Sequence, residues 1–156
     1  MICAMRRRQT VVLIVVVVLA FLAVSGVLAR VWSADGAEST AVTSLVQAEA
    51  RGDQGAMLAG LHGCRSSAAC RARVASDIAA LTRPGPVTIL HFNSSTGFSL
   101  GATLGTARVA WRTPSSLPVV QCVRVRRAGN AVGTFHVELL WVSKRITTNA
   151  DCPASF

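Results

Sequence analysis

Hydrophobic and polar positions change rhythm twice along this chain. From Thr10 to Ala29 the pattern has no alternation at all: TVVLIVVVVLAFLAVSGVLA carries no charge over twenty residues. A helix rises ~1.5 Å per residue, so this run reaches ~30 Å, the thickness of a bilayer's hydrocarbon core. From Thr40 to Leu81 the apolar positions fall at helical spacing. Val42, Leu45, Val46 and Glu49 share one side of a helix over Thr40–Arg51, which Ser39 or Thr40 can cap and Gly52 stops. Asp53 can cap a second short helix carrying Met57, Leu58 and Leu61 and ending at Gly63. Ser66 or Ser67 opens a third, to about Leu81, with Val74, Ile78 and Leu81 along one side and Asp77 assigned to the opposite, solvated one. Arg83-Pro84-Gly85-Pro86 then breaks the chain.

Beyond Pro86 the period is two. Val87–Asn93 alternates, and Ser94–Gly97 has turn chemistry. Phe98–Leu104 and Thr106–Arg112 flank Gly105 and are expected to form a hairpin. Thr113–Pro118 is a loop. Val119–Arg127 follows, with Val123 and Val125 on one face and Arg124 and Arg126 on the other; Gly129-Asn130 with Gly133 makes the next turn. Thr134–Val142 alternates best, with Phe135, Val137, Leu139 and Trp141 pointing one way and His136 and Glu138 the other. Helices followed by about five strands predict an α+β domain, with two or three helices packed on one face of an antiparallel sheet.

Charge fixes the expected topology. Arg6, Arg7 and Arg8 precede the apolar run and Arg30 follows it, so the positive-inside rule puts the N-terminus in the cytoplasm. The run is longer than a signal-peptide core of ~7–15 residues, and an uncleaved anchor is favoured over a cleaved signal. Cys3 lies before the arginines, which argues against lipoprotein processing. The expected organisation is a cytoplasmic stub (1–9), a transmembrane helix (10–29), a juxtamembrane linker (30–39) with Trp32 at headgroup level, and an extracytoplasmic domain (40–156). The chain has sixteen basic and seven acidic residues, a formal +9, and all its basic residues but Lys144 are arginine. With abundant Ala, Val and Gly, that bias fits a GC-rich bacterial genome, and a domain outside the cytoplasm makes nucleic acid a poor partner.

Behind a single N-terminal membrane helix, this order of elements resembles the NTF2-like (cystatin-like) superfamily. Ala48–Leu61 (AEARGDQGAMLAGL), Leu104–Trp111 (LGTARVAW) and Val119–Arg127 (VVQCVRVRR) also resemble a group of actinobacterial-type secreted or membrane-anchored proteins. The resemblance implies helices lying across a strongly curved sheet. It covers enzymes with an Asp or His inside a cone-shaped cavity, and non-catalytic modules tethered beside secretion, transport or cell-wall machinery. No residue here matches a catalytic motif of the former, and the layout matches the latter better.

The chemistry-bearing residues are sparse. His91, on a strand with Val87 and Ile89 on its own face, is the candidate for a ligand cavity; the other histidines, His62 and His136, are weaker general acid–base candidates. Seven scattered acidic residues supply no paired carboxylates, and His62-x-Cys64 with Cys70 lacks zinc spacing. Neither a catalytic set, a metal nor a cofactor is therefore expected. The expected function is a non-catalytic, membrane-anchored binding or scaffold module with a protein partner in a bacterial cell-envelope or secretion-type assembly. The alternatives are a small-molecule binder or enzyme using the sheet cavity, and an adaptor drawn to anionic lipid by Arg124, Arg126 and Arg127. Cys64, Cys70, Cys122 and Cys152 lie where oxidation is permitted, and Cys3 is expected to stay a free thiol. Among three connectivities, the expected one is Cys64–Cys70, made reachable by the break at Gly63 and Ser66-Ser67, with Cys122–Cys152 pinning the polar tail.

Overall fold

Three helices followed by four strands make up the described residues of the chain, which in this computed structural model are 2–94, 102–129, 136–148 and 152. The helices are α1 (Ile2–Arg51), α2 (Gln54–Gly60) and α3 (Ala68–Leu81); the strands are β1 (Thr88–Ser94), β2 (Thr103–Arg112), β3 (Val119–Ala128) and β4 (His136–Val142). The chain divides into two compact units, Met1–Ser33 and Ala34–Phe156.

The first unit belongs to α1. Its segment Val11–Ala29 has a mean hydropathy of 3.2, and none of it is buried against protein. Leu13, Leu19, Phe21 and the valines among them are all exposed, which water would penalise and lipid would not. This one helix is long and apolar enough to cross a membrane.

In the second unit the α1 backbone is already helical at Asp35, so Asp35–Ser39 forms part of the helix and not the expected linker. Ala37 and Glu38 favour a helix, and Glu38 has a place to go: it is fully buried, four residues before Val42 on the same stripe. That stripe continues through Leu45, Val46 and Glu49. Gly52, at φ 72°, supplies the left-handed residue that ends the helix. Asp53 caps α2 by accepting a hydrogen bond from the Ala56 amide, and Ser67 caps α3 by accepting from Cys70.

The strands form one antiparallel sheet in the order β1-β2-β3-β4. Gly105 is not a hairpin turn. It sits inside β2 opposite Val125, and Thr103–Arg112 is a single strand, so the expected pair of strands around Gly105 is one. Residues 95–101, which held the rest of that expected hairpin and its turn, lie outside the described residues, as do Phe135 and the turn at Asn130 and Gly133. Registers place Ile89, Phe92, Ala107, Val109, Trp111, Val119, Gln121, Val123, Val125 and Arg127 on the face that α1 covers. Val42, Leu45, Val46, Met57, Val74 and Leu81 complete the core from the helical side.

Two bulges re-aim side chains. Between Ile89 and His91 the β1 register slips by one residue, leaving Leu90 unpaired and 45 % exposed. On β4, Leu140 has no cross-strand partner: Leu139 opposes Val125, but Trp141 opposes Arg124 and Val142 opposes Val123. Val137, Leu139 and Val142 therefore face the core, and Trp141 leaves the face that simple alternation assigned it. The outer edge of β4 is closed by the chain after α2, where the His62 amide donates to the Leu139 carbonyl at 2.7 Å. Beyond Val142 the tail follows β3, with the Ser143 and Ile146 amides donating to the Cys122 and Val120 carbonyls.

Both expected disulfides are present. Cys64–Cys70 closes the turn between α2 and α3, with Cα atoms 5.2 Å apart, and Cys122–Cys152 fastens the tail to β3.

Candidate functional site

The most unusual chemistry of the domain lies where α1 and α3 meet the sheet. Glu49 enters the core because it sits three residues after Val46 and four after Leu45, on the apolar stripe of α1. Gln121 enters it because it shares strand parity with Val119 and Val123. The Gln121 side chain is fixed by neighbours that leave no choice of orientation. The Trp111 indole Nε1, which can only donate, gives a hydrogen bond to Gln121 Oε1 at 2.7 Å. Gln121 Nε2 then donates to the Ser143 carbonyl at 3.0 Å and to Glu49 Oε1 at 2.9 Å. Glu49 Oε2 has no hydrogen-bond partner among the described residues.

Asp77 supplies a second buried carboxyl. It lies three residues after Val74 and four before Leu81, on the same side of α3 as both, and it is 1 % exposed. This overturns its assignment to the solvated face: a three-residue step returns to nearly the same side of a helix. Its Oδ2 also lacks a partner among the described residues. Burial raises the Asp77 carboxyl above the usual range, against the opposing pull of Arg73, one turn earlier on α3, and of Lys144 in the tail. Burial likewise pushes Glu49 from 4.5 up to about 7, with the Gln121 hydrogen bond working against that rise and the nearby charge of Asp77 adding to it.

A second buried polar group stands further along α1. Arg127, on the core face by the same parity as Val123 and Val125, donates from Nε to Glu38 Oε2 at 2.9 Å, and its Nη2 reaches Glu38 and Asp35. Arg127 is 6 % exposed and Glu38 fully buried. Arg127 thus does not belong to the basic surface patch expected with Arg124 and Arg126, which face the other side of the sheet.

That outer side gathers the two weaker histidines. Glu138 pairs with Arg126, and the side chains of His62, from the turn after α2, and His136 lie 3.7 and 3.4 Å from Glu138 Oε1. The hydrogen bond from Arg126 holds the Glu138 carboxyl below its usual range. His62 and His136 are both exposed, which screens their attraction to the partly buried Glu138. His91 is elsewhere: the Leu90 bulge turns it to the outer face opposite Ala110, exposed, and away from Ile89. The helix-covered face thus lacks the histidine expected there and carries Glu49, Gln121 and Asp77 instead.

Two surface pockets flank the α2–α3 turn. One, of about 380 Å³, is lined by Leu58, His62, Cys64 and Arg65. The other, of about 270 Å³, is lined by Leu61, Cys70, Arg73, Leu140 and Trp141, with the Arg73 guanidinium 5.6 Å from the Trp141 ring centre. Among the described residues no group of three or more His, Cys, Asp or Glu side chains is placed to hold a metal ion. Comparison of the chain with family models, with curated proteins and with solved structures gives no match.

Proposed function

We propose that this chain is a single-pass membrane protein whose N-terminus is cytoplasmic and whose disulfide-bonded α+β domain, of NTF2-like architecture, lies outside. There it works as a non-catalytic binding or scaffold module with a protein partner in the cell envelope. The observation that carries this reading is the combination within one chain of the apolar segment Val11–Ala29, none of it buried, and two disulfides in the domain that follows. An exposed face of that hydropathy belongs in lipid, and paired cysteines belong to an oxidising compartment. The arginines before the segment favour the stated orientation.

The helix-covered sheet face supports a binding module over a small-molecule enzyme. Among the described residues, Trp111, Met57, Gln121 and Glu49 are fully buried there and packed among core side chains. His91, the acid–base candidate for such a cavity, faces the other way. The test is cross-linking of intact cells with a membrane-impermeant reagent, paired with thermal melts of the purified chain in a small-molecule library. A discrete cross-linked species of defined stoichiometry supports the module. A chain that stays monomeric, with a melting temperature raised by small molecules, points to the cavity reading instead.

A further inference from the structure

The seating of Glu49 and Asp77 creates a condition that neither carboxyl can meet alone. Both N–H groups of Gln121 are committed, one to Glu49 Oε1 and one to the Ser143 carbonyl, so it can satisfy only one Glu49 oxygen. Among the described residues, the groups that act on the two carboxyls are these. From α1 there is Glu49 itself, from α3 Asp77 and Arg73, from β2 Trp111, from β3 Gln121, and from the tail the Ser143 carbonyl and Lys144. The two cations act on Asp77, and Glu49 has only a neutral amide. Ionising both carboxyls would leave two like charges with an unpartnered oxygen each, in a setting that exposes 0 % of Glu49 and 1 % of Asp77.

We propose that Glu49 and Asp77 form a proton-binding site that ties the packing of α3 against α1 to the pH around the domain. The site holds one proton below neutrality and releases it to solvent above, and the released state loosens α3. This inference stands on the core alone and does not depend on what the domain binds. It gives the two buried carboxyls one role: the pair stores a proton where the first and third helices meet, and α3 carries the Cys64–Cys70 staple and the Arg73 side of the 270 Å³ pocket.

The test is hydrogen exchange of the full-length chain in lipid nanodiscs at pH 6 and pH 8, with rates corrected for intrinsic chemistry. If opening of α3 lets Glu49 titrate from 4.5 instead of about 7, protection of the α3 amides falls about ten-fold over this interval. Glu49→Gln keeps the acceptor for Gln121 and cannot ionise, so α3 protection in that variant becomes equal at the two pH values. Glu49→Met, which removes the titrating carboxyl altogether, serves the same purpose if Glu49→Gln does not fold. Wild-type α3 protection that is independent of pH overturns the proposal, and so does a pH response that survives in a folded variant.

Discussion

Arg127 pairs with a fully buried Glu38, which makes Arg127→Met the sharpest test of how the sheet faces are assigned. Asp35 is 58 % exposed, so its attraction to Arg127 is screened and adds little. Glu38 is fully buried and takes two Arg127 nitrogens on one oxygen. Breaking such a pair by deleting one partner costs about 3–5 kcal/mol, because a buried carboxylate is left behind. For a domain of this size that lowers the melting temperature by roughly 10–20 °C. Thermal unfolding of the full-length chain in detergent, followed by tryptophan fluorescence, reads it directly. Arg126→Met is the control: Arg126 is 42 % exposed and its partner Glu138 is on the wet face, so the shift there is small. Glu38→Leu combined with Arg127→Met removes both charges, and the double variant recovers most of the loss. Equal melting temperatures for the two single variants, or a double variant as damaged as the sum of its parts, would refute the buried pair.

Further outcomes follow from the same structure. Leu139, 3 % exposed opposite Val125, costs about 2–5 kcal/mol when cut to alanine, measured by chemical denaturation. The raised Glu49 carboxyl makes the domain most stable below about pH 4.5, as far as this group is concerned. That stability is lost as pH rises to about 7, by about 3 kcal/mol in all, so a melt at pH 8 lies below one at pH 5.5 for wild type and the gap narrows in Glu49→Gln. The two disulfides close loops of sequence separation 6 and 30, for which the chain-entropy relation gives about 2 and about 4 kcal/mol. Cys152→Ser therefore destabilises more than Cys70→Ser, a ranking that melts of the two variants decide.

Much of the fold is legible in the residues themselves, because local rules agree with the tertiary outcome. Asp53 and Ser67 cap the helices that the pattern places after them, Gly52 ends the first, and the break around Gly63 lets Cys64 meet Cys70. Gly105 misleads because a glycine inside a strand and a glycine at a turn look alike until a partner such as Val125 is known. Bulges hide for a related reason: the slips at Leu90 and Leu140 are set by pairing across the sheet, and period-two counting passes straight over them. His91 and Trp141 consequently swap faces. The buried polar residues are a different case, since their signal was available. Glu49 lies on the stripe of Leu45 and Val46, Asp77 shares a side with Val74 and Leu81, and Arg127 shares parity with Val125. A charged residue in an apolar stripe marks a buried network, and each of these three does so here.

The central claim is that a lipid-embedded helix holds an oxidised domain outside the cytoplasm, and thiol labelling of intact cells tests it most directly. Cys70 and Cys152 are the partly exposed members of the two disulfides. A membrane-impermeant maleimide should label no cysteine at first, and after treatment with an impermeant reductant it should label Cys70 and Cys152 on a membrane-bound chain that retains an unlabelled Cys3. Labelling of Cys3 with the domain cysteines protected, or free domain thiols before any reduction, would contradict it.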